Sequence, residues 1–206
     1  MISKNVNYTE LKDYTIIIDA LKSEDVYTKN HSKRVSKYSF LIGKKLGLSN
    51  SDLETLKLGG IFHDIGKVKI PDYILLKNGK LTDEEYSKMK KHPTIGKDIL
   101  SNSELFEDIL PIVMYHHERF DGKGYPYGLS DNNIPLLARI VSVADAFDAM
   151  TSRRSYRDEL NLSYVKNELK SNSGTQFDPI ITKTLLDILE NDYEEIEKIK
   201  LENLLF

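Results

Sequence analysis

His63 and Asp64 stand side by side in "IFHDIGKVKIP", residues 61–71, within a run whose apolar residues Leu56, Leu58, Ile61, Phe62 and Ile65 expect burial. Groups of this kind need partners when buried. The chain has five histidines, at 31, 63, 92, 116 and 117. His31 lies four before Val35 on a core-facing stripe, and His116 and His117 close the apolar stretch "PIVMY". His92 follows the basic "KMKK" and precedes a helix start. One histidine on an apolar face is ordinarily a satisfied core residue. Four in apolar settings, with a His-His and a His-Asp pair among them, are what a divalent transition metal uses. A seventh donor position comes from "PLLARIVSVADAFDAM", 135–150, where Arg139, Ser142, Asp145 and Asp148 form a polar seam on an otherwise apolar helix. Asp145 needs a cation, either a metal or, as a structural ion pair, an arginine such as Arg139.

Five histidines and two aspartates exceed the needs of one ion and suit two ions sharing a bridging carboxylate. A formal charge count leaves such a site cationic, even with a hydroxide included, which favours an anionic substrate such as a phosphate. Metal-bound water can have its pKa lowered from 15.7 to about 7 and so become a nucleophile near neutrality. Lys67, four after His63, shares its face if the helix runs that far, and can hold a phosphate oxygen as a point charge. Taken alone, it reads as a surface lysine after a helix-ending Gly66.

The elements that must position these groups are helical. Spacing predicts helices over 9–22, 28–46, 104–118 with a kink or restart at Pro111, 136–151, from Asp178-Pro179 to about Glu190, and a solvated charged helix over 193–206. Ser51 and Glu54 read as a capping box, as do Thr82 and Glu85 in "TDEE". Pro93 suits the first turn of a helix ending near Leu100. "DGKGYPYG", 121–128, is a Gly/Pro loop. Strand signals are nearly absent, with room only for a turn or tiny hairpin around Asn78-Gly79. The expected fold class is all-α: a single helical bundle, with residues 1–24 as a leading helix, 25–190 as the domain and 191–206 as an extension.

Composition narrows the function. The 206 residues carry a formal charge of −3, 40% hydrophobic and 30% charged residues, and no cysteine. Disulfides and thiolate metal sites are therefore excluded. Bulk charge gives no case for a nucleic acid polymer or a membrane surface. No run approaches a membrane span, and "TIIIDAL" lacks the flanks of a signal peptide. A cytoplasmic setting is the expectation.

In order along the chain stand "HSKRV" (31–35), "HDIGK" (63–67), "HPTIG" (92–96), "HHERFDGKGYP" (116–126), "RIVSVADAFDAMTSRRSYR" (139–157) and "GTQFDP" (174–179). Together they resemble the HD-GYP family, a branch of the HD superfamily of metal-dependent phosphohydrolases, over about residues 25–186. The resemblance implies that His31, His63, Asp64 and Asp145 hold one metal. Asp64 would bridge to a second, completed by His92, His116 and His117. Tyr27 stands where some members carry a glutamate that binds a third metal, so two ions are expected, iron or manganese before zinc, cobalt or nickel. The resemblance also implies that Lys67 contacts the scissile phosphate and that Arg154 and Arg157 reach phosphate or guanine. Gly122, Gly124 and Tyr125 would shape the loop beside the pocket. Arg153, where an acidic residue is common, adds positive charge near the mouth.

The implied activity is hydrolysis of the bacterial second messenger cyclic di-GMP to pGpG and/or GMP, by attack of metal-activated hydroxide. Two other readings stay open: an HD phosphohydrolase acting on another nucleotide or cyclic dinucleotide, and a catalytically idle module that binds the messenger or a cyclase. A diguanylate cyclase domain docking on the GYP loop and a homodimer are the partners the resemblance admits. Most members of the family carry a receiver or sensor domain; the 24 residues before Asp25 would not hold one, so the expectation is either a stand-alone enzyme or an excised piece.

Overall fold

The structure, a computed structural model, describes residues 26–152 and 159–202. The helix expected over 9–22 lies outside them. Among the described residues the chain is helical, with only two isolated bridges, Asp121 to Ser130 and Ser173 to Phe177, in place of strands. None of these helices is long and apolar enough to cross a membrane.

The first helix, α1, runs Val26–Lys45, and α2 runs Asn50–Phe62. The cap of α2 is not the expected Ser51–Glu54 box: Ser49 is the N-cap, and its hydroxyl accepts the Asp52 amide. The helix begins two residues earlier because Ser49 already has extended backbone and a competent side-chain acceptor. At its other end α2 stops at Phe62, so His63 and Lys67 do not share one helix; a 3-10 turn, Ile65–Lys69, carries the lysine.

A short helix α3, Asp72–Leu75, replaces any hairpin near Asn78-Gly79. Helix α4, Asp83–Met89, opens on the expected Thr82–Glu85 capping box, and α5, His92–Leu100, has Pro93 in its first turn. The stretch expected as one helix over 104–118 is a 3-10 segment, Glu104–Ile109, followed by α6, Leu110–Tyr115. The break falls where Pro111 lacks an amide and can only restart a helix. After the Gly/Pro loop come a 3-10 turn, Asp131–Asn133, then α7, Leu136–Thr151. Three helices follow: α8, Leu162–Ser171; α9, Pro179–Asn191; and α10, Tyr193–Glu202. Sequence reading did not foresee α8, whose apolar signal is only two buried residues, Val165 and Leu169.

Two apolar clusters fix the arrangement. The larger gathers Val35, Tyr38 and Ile42 of α1 with Leu56 of α2, Phe147 and its neighbours on α7, and Leu185 and Ile188 of α9. Tyr38 meets Phe147 edge to face, with ring centroids 5.0 Å apart, a contact that adds to plain burial. Ile196 of α10 is completely buried in the same cluster. The tail therefore packs one face on the core rather than standing free as a solvated helix. The smaller cluster joins Phe62, Ile65, Leu100, Phe106, Ile109 and Val113. Helices α2 and α6 contribute to both clusters, through Leu56 and Phe62 and through Ile112 and Val113.

Close approach of α2 to α1 depends on Gly60. A Cβ built there would lie 2.5 Å from Ser36 Cα and 2.8 Å from its nitrogen, both backbone atoms that cannot swing away. Ser36 closes the same contact by donating to the Lys57 carbonyl at 2.7 Å. Gly60→Ala should therefore destabilise the fold by about 1–3 kcal/mol, measured as a drop in the urea midpoint with an unchanged slope. A midpoint equal to that of the native chain would mean the two helices can part without cost.

Candidate metal centre

Five elements bring the titratable groups together. His31 comes from α1, His63 and Asp64 from the end of α2, His92 from the start of α5, His116 and His117 from the end of α6, and Asp145 from α7. The donor atoms fall into two sets, each within 4.8 Å of one another: His31, His63 and Asp145; and Asp64, His92, His116 and His117. Asp64 joins them. Its Oδ2 lies 3.3 Å from His63 Nε2 and 4.0 Å from His31 Nε2, while Oδ1 lies 3.2 Å from His92 Nε2 and 3.9 Å from His116 Nε2. Asp145 Oδ1 is 3.2 Å from His31 Nε2 and 4.0 Å from His63 Nε2. The arginine pairing considered for Asp145 does not form with Arg139, which instead pairs with Asp178 and donates to the Ile134 carbonyl.

The imidazoles are aimed by their outer nitrogens. Nδ1 of His63, His92 and His116 sits 2.9 Å from the carbonyls of Gly60, Met89 and Val113, each three residues back. A carbonyl only accepts, so these nitrogens carry the protons and each Nε2 presents a lone pair inward. His92 and His116 then point lone pairs at one another across 3.3 Å. Burial, the largest influence, holds His116 well below its ordinary range, and pulls His92 to about 3 and His117 to about 4. These three are neutral at pH 7.

His63 Nε2 and Asp64 Oδ1 are buried with no hydrogen-bond partner. A buried acceptor left this way costs roughly 1–3 kcal/mol. Converging lone pairs, two carboxylates and orphaned inward acceptors fit divalent cations, and the donor set, nitrogen and oxygen without sulfur, fits a transition metal. Burial pushes both Asp64 and Asp145 upward, but their cationic and histidine neighbours outweigh it and hold each well below the usual carboxylate range. For Asp64 the leading neighbour is Lys67, whose Nζ lies 2.5 Å from Oδ2.

Asp148, on the same seam as Asp145, is the positioning group that sequence reading left without a role. It is fully buried, takes His31 Nδ1 at 2.7 Å, and takes Arg34 Nε at 2.5 Å and Nη2 at 3.0 Å. Burial lowers His31, but Asp145 and Asp148 outweigh it and lift the ring to about 9. The signal was present in the sequence as the three-residue spacing from Asp145. Glu118 was also missed. Its Oε1 accepts the amides of Tyr127 and Gly128 at 2.7 and 3.1 Å, and Oε2 that of Leu129 at 3.1 Å. One buried carboxylate thus hangs the far side of the Gly/Pro loop.

The loop residues foreseen from the sequence sit beside this centre. The Tyr125 ring stacks on His117 at 4.8 Å and 26°. Gly124 has no room for a side chain, since a Cβ there would lie 2.3 Å from Arg119 N and 2.6 Å from the His117 carbonyl. Gly122 is in the turn before it, with its amide on the Arg119 carbonyl at 2.8 Å. Arg153, Arg154 and Arg157 lie outside the described residues, as does the Tyr27 side chain. A cavity of about 360 Å³ opens beside His117 and Asp145.

Helical bundle and His/Asp centre together define an HD domain, and the HD-domain family model matches residues 15–181; the chain belongs to that family. Within it the chain is an HD-GYP protein, carrying "HHERFDGKGYP" between the end of α6 and α7, the helix of Asp145. It is 40% identical, over 88% of its length and 51% of the other's, to a cyclic di-GMP phosphodiesterase of Thermotoga maritima. To the cyclic di-GMP phosphodiesterase response regulator RpfG of Xanthomonas campestris it is 41% identical, over 81% of this chain and 45% of that one. A 3'3'-cGAMP-specific phosphodiesterase of Vibrio cholerae is 36% identical over 83% of this chain and 33% of its own. The chain therefore spans about half or less of these curated relatives. In fold it is similar to an HDGYP protein from Bdellovibrio bacteriovorus, with a TM-score of 0.67 at 24% identity over 82% of this chain and 54% of the other.

Two outcomes follow from the geometry around Asp148 and Glu118. Asp148→Asn should weaken Mn²⁺ binding roughly 10–100-fold in a calorimetric titration; an unchanged affinity would show that His31 keeps its aim without the carboxylate. Glu118→Ala orphans three amides and should cost at least ~2 kcal/mol, with faster hydrogen exchange concentrated at residues 127–129. Exchange that rises elsewhere but not there would contradict the hanging role.

Proposed function

We propose that the chain is a dinuclear phosphodiesterase that hydrolyses cyclic di-GMP to pGpG and/or GMP. The observation that carries this reading is the double engagement of Asp64, with one carboxylate oxygen turned to each donor set. His31, His63, Asp64 and Asp145 would hold one ion, and Asp64, His92, His116 and His117 the other. Iron or manganese suits these ligands best. Bound there, the ions would supply Lewis-acid charge and make water acidic enough to serve as a nucleophile near pH 7.

The chain's own groups do the rest. Lys67, whose ammonium already leans over the centre on Asp64 Oδ2, is placed to take a non-bridging phosphate oxygen as a point charge. Asp148 and the three carbonyls fix the imidazole directions, so the donor geometry exists before a ligand arrives. Tyr125 sits flat on His117 and stands nearly perpendicular to the His92 ring, with centroids 6.4 Å apart. It walls one side of the site. Arg154 and Arg157 follow α7 directly and would add charge toward phosphate or guanine. The names of the relatives support a cyclic dinucleotide as substrate, and the cationic neighbourhood of Lys67 supports an anionic one.

The test is turnover by protein prepared without air, with metal content measured on the same sample. The native chain should hydrolyse cyclic di-GMP, lose activity on chelation, and regain it with Mn²⁺ or Fe²⁺. Replacing His63 and Asp64 together by alanine should abolish turnover and remove bound metal. Undiminished hydrolysis in that variant would refute the assignment, and turnover of other cyclic dinucleotides alone would move the substrate.

A further inference from the structure

The cavity beside the centre has a second wall, on elements that the hydrolytic chemistry does not use. One side is α7, from Asp145 through Ala146 and Ala149 to Met150. The other is Glu168 of α8 with Asn172, Gln176 and Phe177 after it. Its volume, about 360 Å³, falls within the roughly 300–1,000 Å³ of small-ligand pockets. Its chemistry is uneven. Phe177, buried, and Met150 give it apolar surface, while Glu168, Asn172 and Gln176 add polar groups on the side away from Ser142 and Asp145 of α7.

Those polar groups are held in place. Asn172 Nδ2 donates to the Glu168 carbonyl at 2.9 Å and braces its carboxylate Oε2 at 3.5 Å. Gln176 Oε1 accepts Arg119 Nη1 at 3.0 Å, and Arg119 is itself held by both oxygens of Asp121. With its oxygen engaged by Arg119, the group that Gln176 can still offer on the cavity wall is its amide NH₂. The backbone carbonyls of Gln176 and Thr175 accept the amides of Phe120 and Asp121 at 3.2 and 2.7 Å, which docks this segment on the start of the GYP loop. The wall therefore offers a carboxylate acceptor and an amide donor in fixed positions.

We propose that Glu168 is a specificity-determining residue that selects guanine over adenine in the cavity beside the metal centre, with Gln176 as its companion. The proposal rests on the cyclic dinucleotide reading above. Guanine presents two donors, N1–H and the N2 amine, beside the O6 acceptor. A carboxylate takes the two donors and an amide NH₂ serves the acceptor. Adenine offers the reverse on the same edge: an unprotonated N1 that would face the carboxylate, and an N6 amine where O6 would stand. A site built to bond the guanine edge leaves its own polar groups unmatched when adenine enters. His117 and Asp145 line the same cavity, so a nucleotide whose phosphate lies at the centre can place its base there without leaving the pocket.

The experiment uses the Mn²⁺-loaded chain and three mononucleotides, GMP, IMP and AMP, titrated calorimetrically, with cyclic di-GMP turnover recorded in parallel. The native chain should bind GMP roughly tenfold or more tighter than AMP, with IMP, which lacks the N2 amine, between them. Glu168→Gln should collapse that order by weakening GMP while AMP holds or gains, and should raise KM for cyclic di-GMP more than it lowers kcat. Equal affinities in the native chain, or an equal loss for all three nucleotides in Glu168→Gln, would overturn the proposal; the native comparison stands even if the variant fails to fold. Absence of cyclic di-GMP turnover by the native chain, by contrast, would sink the function proposed above and not the base preference.

Discussion

Everything at the centre depends on a buried carboxylate that has more acceptor capacity than the protein fills. Asp64 is almost fully enclosed, has an oxygen toward each set of donors, and leaves Oδ1 without a hydrogen bond. Burial alone would favour its neutral form, and Lys67, His63 and His92 reverse that preference. A charge kept in such a place makes sense only beside cations. The surrounding imidazoles answer the same need, because their outward nitrogens are committed to carbonyls and only lone pairs remain inside. Folding thus assembles a pocket in which inward lone pairs outnumber the N–H groups that could meet them, and the two apolar clusters supply the free energy that keeps it assembled.

Much of this was legible in the residues, and the reasons differ from one to the next. His63 and Asp64 stood out because polar groups inside an apolar run must be explained. Asp145 stood out because a three-residue polar seam on a buried helix has no use for solvent. The capping box at Thr82 was plain because both of its partners are local. The box at Ser51 was misplaced by two residues because Ser49 competes for the same helix start and has the extended backbone that a cap requires. A face shared by His63 and Lys67 required α2 to run that far; it ends at Phe62, and the chain tightens into a 3-10 turn that delivers the lysine instead.

The groups missed were those whose partners are remote in sequence. Asp148 meets Arg34 and His31 across more than a hundred residues. Glu118 meets amides nine to eleven residues on, in a loop whose folded path no periodicity reveals. Glu168 belongs to a helix with two buried apolar residues, too few to announce it. Local rules recover elements, and the family motifs pick out the histidines and aspartates that the fold brings together. The supports that aim those side chains come from tertiary contact, and a sequence carries them only as unexplained acids.

The Gly/Pro loop has one mechanical property beyond its shape. Tyr127 and Gly128 hang by their amides from Glu118, and Glu118 is joined by a single peptide bond to His117, whose ring carries Tyr125 as a lid. Tyr127 itself is 63% exposed. A force applied at that tyrosine has a short, stiff route to an imidazole at the centre, through one carboxylate and one bond. The outer rim of the molecule and one imidazole of the centre are, in effect, opposite ends of the same lever.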